Sequence, residues 1–251
     1  MRTKRSSLVV LSAVALVACS DGTSPTPTQD DQTLEEVLTE LNTVGTYAGA
    51  GLAPAGVATS SMPAPGAGAC PFDAGSTYFV CAPVTVNGLT IDRRYQLLDD
   101  DGAPLSSFDP ATVSGIRNVV DVAGTTSGGQ GGPPAITIDL HDDQTLTGLR
   151  TATRVVNGSG TTDLTFTNNG EVMTFTTTRT VSNLVLPTVP GPGAYPTSGS
   201  ITTTGTSALM TYTSTMTFNG TSTVTIVNTI NGQSQTCTYN LQTPATPPVC
   251  A

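Results

Sequence analysis

From residue 68 to the C-terminus, apolar and polar residues alternate with period two, the pattern of strands with one buried and one wetted face. Asn-Gly pairs interrupt the alternation, and each fixes a register that the flanking residues test. In LTFTNNGEVMTF a two-residue turn at Asn169-Gly170 sets Phe166 against Met173 and Leu164 against Phe175, while Thr165 meets Thr174 on the other face. In VTIVNTINGQSQTCTYNL the Asn231-Gly232 turn sets Ile226 against Cys237 and Val224 against Tyr239, with Thr225 facing Thr238. In VTVNGLTI the Asn87-Gly88 turn pairs Val86 with Leu89 and Val84 with Ile91. Three turns thus give sheets with consistent faces, which a disordered threonine tract would not.

The pair Asn219-Gly220 behaves differently, because a two-residue loop there would oppose Val224 to Thr215 and mix the faces. A three-residue loop, Phe218 to Gly220 with a glycine bulge, restores Tyr212 to Ile226 and Thr213 to Thr225, and is the expected geometry. The sequons at Asn157 and Asn219 are expected to mark turns. Successive hairpins from about residue 70 to 241 predict nine to eleven antiparallel strands in chain order, within a β domain of residues 68–251. The expected fold is all-β: one wide meander, strongly curved or half-barrel to barrel-like, with a threonine face toward water and an apolar face that needs cover.

Cover is available upstream. Residues 33–45, TLEEVLTELNTVG, place Leu34, Val37, Leu38, Leu41 and Val44 on one helical face, with Thr33 and Glu36 as a capping box and Gly45 as the stop. This amphipathic helix is the expected lid. Residues 46–67, rich in Gly, Ala and Pro, have no periodicity and predict a connecting loop, and residues 19–32 predict a Thr/Pro-rich tether. Residues 1–18 carry a basic head of Arg2, Lys4 and Arg5 and an apolar run from Leu8 to Ala18, the parts of an export signal. The run falls short of the roughly 20 residues a membrane-spanning helix requires.

Leu16, Val17, Ala18 and Cys19 resemble the lipobox of bacterial lipoproteins. That resemblance implies cleavage before Cys19, acylation of its thiol, and attachment to the cell envelope by palmitate-type chains, each buried CH₂ contributing about 0.8 kcal/mol. Ser20 follows in place of an aspartate, which by the same resemblance favours the outer membrane over inner-membrane retention. Nothing in the resemblance reaches the mature domain. In shape alone, a lipid-anchored curved sheet under a helix looks like the half-barrel of some periplasmic lipid carriers.

Cysteine usage agrees with export. Apart from Cys19 there are four, Cys70, Cys81, Cys237 and Cys250, an even number that predicts two disulfides. In CPFDAGSTYFVC a two-residue Gly75-Ser76 turn sets Phe72 against Phe79 and Cys70 against Cys81, so the expected bridges are Cys70 to Cys81 and Cys237 to Cys250. Zinc would require clustered Cys and His ligands, and the spacing supplies none.

Charge narrows the partners. The chain has nine Lys and Arg against eighteen Asp and Glu. Losing Arg2, Lys4 and Arg5 with the leader takes the basic count from nine to six and the net charge from −9 to −12, with no lysine left. Such a surface cannot displace counterions from a phosphate backbone, which excludes nucleic acid, and it is repelled by anionic lipid. Roughly a fifth of the residues are threonine, far above ordinary usage.

Candidate chemistry is sparse. His141 is the one histidine, and strand alternation turns it and Asp139 outward while Ile136, Ile138 and Leu140 turn in. No Gly-x-Ser-x-Gly elbow is present. Asp99, Asp100, Asp101 and Gly102 have a calcium-loop composition, but the loop register puts Leu97 and Phe108 at ligand positions, so an acidic turn is expected and no metal or cofactor. The residue that breaks the pattern is Arg93, expected on the apolar face between Ile91 and Tyr95 and opposite Ala82. Arg93 with Tyr95 is the candidate ligand site, for an apolar or amphipathic small molecule with an anionic group; an arginine that reaches to a strand edge or pairs with an aspartate is the structural alternative. A non-enzymatic binding or structural surface module is therefore expected. A hydrolase using Asp139 and Asp143 is the alternative.

Overall fold

In a computed structural model of the chain, the structure describes residues 70–126, 135–168, 171–187, 194–242 and 248–251. Cys19 and the expected tether, helix and loop of residues 19–67 lie outside the described residues. What is described is all-β: a single fourteen-stranded antiparallel sheet, without a helix among the described residues. Nine strands are long: β4 (Leu89–Leu98), β6 (Gly115–Thr125), β7 (Ile136–Thr147), β8 (Arg154–Asn168), β9 (Glu171–Leu186), β10 (Ser198–Ser207), β11 (Thr211–Thr217), β12 (Thr223–Ile230) and β13 (Gln233–Asn240). They follow one another as a meander. The other five are short: β1 (Phe72–Asp73) and β2 (Tyr78–Val80) at one edge, β14 (Val249–Cys250) at the other, with β3 (Val84–Val86) and β5 (Pro104–Leu105) beside β4.

Three expected registers hold. Val84 faces Ile91, Ile226 faces Cys237, and Phe166 faces Met173. Asn87 and Asn231 both sit in the left-handed region, each followed by a glycine that does the same, as a type I′ turn demands. The turn residues 169 and 170 are outside the described residues, but the strands they join pair as expected.

Four expectations are corrected. Phe72 does face Phe79, but the loop closes at Asp73–Tyr78 with four residues, not at Gly75-Ser76 with two. Asp73 explains the longer loop: its carboxylate accepts from the Gly75 amide at 3.0 Å and the Ser76 hydroxyl at 2.7 Å, while Thr77 takes the positive φ. Next, β2 sets Phe79 against Tyr95 while β3 sets Val84 against Ile91, a one-residue offset absorbed around Cys81–Pro83. The Cys81 amide therefore donates to the Arg93 carbonyl, and Ala82 does not oppose Arg93.

The third correction concerns Phe218. Strands β11 and β12 pair Met216 with Ile226 and Tyr212 with Ile230, four residues displaced from the expected register. The shift is even, so faces are preserved, and it releases Phe218 from the turn into the core, where it is buried. Asn219 then organises the wider loop by accepting from the Thr221 amide and hydroxyl, and the Gly220 amide donates to the Pro196 carbonyl. Burying a phenylalanine outweighs a tighter turn. Finally, Asn157 is no turn: it is a bulge within β8, and its Oδ1 accepts from the Asn183 amide at 2.8 Å.

One apolar cluster runs through most of the sheet and includes residues toward both of its ends: Cys70, just before β1, and Tyr95 of β4, with Cys237 and Tyr239 of β13. Among the described residues no ladder joins β1 to β14, so the sheet is not closed into a barrel. Both edges are fastened by disulfides, Cys70–Cys81 and Cys237–Cys250, with Cα separations of 4.1 and 3.9 Å.

Two outcomes are expected. Phe218→Ala should lower unfolding free energy by about 3–5 kcal/mol in urea titration, whereas a phenylalanine in an exposed turn would change it little. Replacing Cys237 and Cys250 together by alanine and serine should cost about 3 kcal/mol in the same titration, through freedom returned to the unfolded chain.

Candidate functional site

Register across the inner face assembles a belt that no single strand reveals. Arg93, Asp142, Arg179, Thr203, Ser214 and Asn228 fall on one row, linked through Val120 and Gly160. Asn118 and Gln144, paired with each other, lie one position deeper. Polar side chains thus cross the face between a row that holds Ile91, Val122 and Leu140 and one that holds Tyr95, Val181 and Ile201. Below the belt is the large packed cluster; above it, toward the Asn87-Gly88 and Asn231-Gly232 turns, is a second cluster of Leu89, Val120, Val122 and Ile138. Half-buried Ile91, Ile136, Leu140 and Leu164 pack on this second cluster.

Within the belt, Asp142 is the hub. Its Oδ1 accepts from the Arg179 guanidinium and its Oδ2 from Gln144 Nε2 at 2.8 Å. Gly160 permits this arrangement, because a Cβ there would lie 2.7 Å from Asp142 Oδ1. At Gly205 a Cβ would stand 2.0 Å from the Tyr212 ring, which crosses that bare backbone and stacks on Phe175 at 5.6 Å. Three carbonyl acceptors in this region, Asn118 Oδ1, Gln144 Oε1 and Asn228 Oδ1, are buried and accept no hydrogen bond from the described residues. Asn118 and Gln144 are only 6% and 3% exposed. A buried acceptor left in that state costs about 1–3 kcal/mol.

The expected pair separates. Arg93 is buried on the inner face as expected, and removal from water pulls its pKa below the usual guanidinium value. Tyr95 is also inward and buried, but it is packed in the large cluster, its ring stacked on Phe79 at 4.9 Å, and burial raises its phenol pKa. Arg93 belongs to the belt; Tyr95 is core. Sequence reasoning misses Asp142 and Arg179 because the row Arg93, Val120, Asp142, Gly160 and Arg179 runs over five different strands. The available signal is Arg179 itself, which like Arg93 interrupts an otherwise uncharged inward row.

The acids of the hydrolase alternative lie on the outer face. Asp143 is held by Arg117, with Nε to Oδ1 at 2.9 Å. Asp139 stands opposite Asp163, four residues along β7 from Asp143, roughly 13 Å at strand spacing. His141 Nδ1 lies 2.6 Å from Asp121 Oδ1, and Arg94 donates to the other Asp121 oxygen at 2.7 Å. Neither arrangement supplies a paired-acid cleft. At the acidic turn Asp99 accepts from the Asp101 and Ala103 amides and Asp100 pairs with Arg150. Among the described residues no group of three or more His, Cys, Asp or Glu is placed to hold a metal ion.

No protein-family model matches the chain, no curated protein matches it in sequence, and no solved structure matches it.

The Asp121 cluster sets an acid limit. Burial acts to raise the Asp121 pKa, but hydrogen bonds from His141 and Arg94 outweigh it and hold the carboxyl below the usual carboxylate value. With the folded pKa depressed, this stabilisation is complete above about pH 4 and is lost as pH falls through the folded-state value. In acid titration followed by thermal melting, Asp121→Asn should flatten the loss of stability below about pH 4. An unchanged acid limb contradicts this role.

Proposed function

We propose that this chain is a lipid-anchored protein of the bacterial cell envelope, held by acylated Cys19 at the outer membrane, whose curved sheet binds an amphipathic small molecule without chemically altering it. Two disulfides are the cysteine usage of an oxidising, extracytoplasmic compartment, which supports export. The observation that carries the binding reading is the layering of the inner face: a closed apolar cluster, then a buried polar belt with Arg93 and Arg179, then a half-exposed apolar wall. A ligand with its polar group at the belt and its apolar part along Ile91, Leu140 and Leu164 would match that order. Arg93 would supply a charge-assisted hydrogen bond to an anionic group, and the carbonyls of Asn118 and Gln144 would receive its donors.

Mass spectrometry of small molecules released from the purified protein tests this reading. An amphipathic compound at near-stoichiometric amount is expected, and Arg93→Met should reduce its recovery while the protein still folds. A large fall in melting temperature with the bound compounds unchanged makes Arg93 a structural cation and overturns the assignment. Metabolic labelling with palmitate tests the anchor separately: the chain should take up label, and Cys19→Ser should abolish it.

A further inference from the structure

The two ends of the sheet differ in chemistry. At the end where the Asn-Gly hairpins turn, the tips carry exposed aliphatic side chains: Val84 and Val86 on β3, Val172 at the start of β9, Leu209 between β10 and β11, and Ile230 at the end of β12. Leu209 is 76% exposed, Val172 66% and Ile230 45%. Among the described turn residues at this end, Asn87, Gly88, Ala208 to Met210, Asn231 and Gly232 are uncharged, and Glu171 is the one charge beside them. The opposite end is acidic, with Asp99, Asp100, Asp101 and Asp109 in its turns and Arg150 bound to Asp100.

We infer that the hairpin-tip end is a membrane-docking rim, which seats Val172, Leu209 and Ile230 at the headgroup–acyl boundary of a bilayer with neutral, zwitterionic headgroups. Three observations select this occupant. The exposed side chains are aliphatic and stand on separate hairpins, so they fit a fluid surface that adapts to each tip. The end that would meet lipid is almost uncharged while the acidic turns point away from it, which suits neutral headgroups in a chain of net charge −9. The half-exposed wall of Ile91, Leu140 and Leu164 lies on the inner face toward the same end, so the rim adjoins further apolar surface. The inference stands on the exposed tips and does not require that a ligand be held.

The chain contains no tryptophan, so Leu209→Trp provides a single reporter. The protein is produced with residues 1–19 replaced by an ordinary cleavable export leader, so that no acyl chain contributes, and far-UV circular dichroism confirms that the variants fold. Phosphatidylcholine vesicles should shift the emission of the introduced indole to the blue and carry the protein upward in flotation. Adding Val172→Ser and Ile230→Ser should weaken partitioning at least tenfold, and substituting phosphatidylglycerol for part of the phosphatidylcholine at low salt should weaken it too. Emission that stays red with the protein left unfloated overturns the inference. A blue shift that appears without vesicles and grows with protein concentration also overturns it, since a second copy then covers the rim.

Discussion

The structure depends on the two edges of one sheet sharing a single apolar core. Cys70 precedes the first strand, Tyr95 lies on β4, and Cys237 and Tyr239 lie on β13, yet all four are buried in the same cluster. An open antiparallel sheet with one apolar face leaves that face wet unless something covers it, and here the residues of that cluster are buried. Among the described residues no ladder joins the two edges. Their short strands, two residues each in β1 and β14, and the disulfide beside each limit the backbone available for pairing with other chains.

Against that core, the polar belt is the feature that packing alone does not explain. Inward Leu, Ile or Val at Asn118, Gln144 and Asp142 would continue the rows on either side. Instead Asp142 holds Arg179 and Gln144, and carbonyls nearby accept nothing from the described residues. Ion pairs with limited access to water contribute less than apolar residues of equal volume. A chain that keeps charge and unfilled acceptors at this depth sacrifices stability, and binding specificity is the return that the proposed function assigns to it.

The outer face divides the remaining polar residues between two kinds of surface. Over β4 to β7 it carries charge, in the contacts of Arg94 and His141 with Asp121 and of Arg117 with Asp143. Over β9 to β11 it is a field of hydroxyls, with Thr178, Thr204 and Thr213 in register across three strands. Threonine suits this position because its β-branch favours the extended backbone and its hydroxyl stays hydrated. The composition that looks like low complexity is the repeated outward half of a period-two pattern.

By itself the sequence determined whatever depends on neighbouring residues. Asn87-Gly88 and Asn231-Gly232 dictate type I′ turns, which set register, and register with period two decides which residues face inward; the all-β meander, the threonine face and the inward Arg93 follow from that, while the two disulfides follow from the even cysteine count and short spacings. Tertiary structure decided wherever a local preference competed with burial. Asn219-Gly220 could close a tight turn, but Phe218 gains more in the core, so the loop widens and β12 moves four residues along β11. Asn157-Gly158 has the chemistry of a turn, yet it lies inside a strand whose ladder is continued on both sides, and it becomes a bulge. Asp142 and Arg179 are 37 residues apart and meet only because two intervening strand pairings place them side by side. Turn geometry is local and legible, whereas burial and cross-strand electrostatics depend on which distant residues the strand pairings bring together.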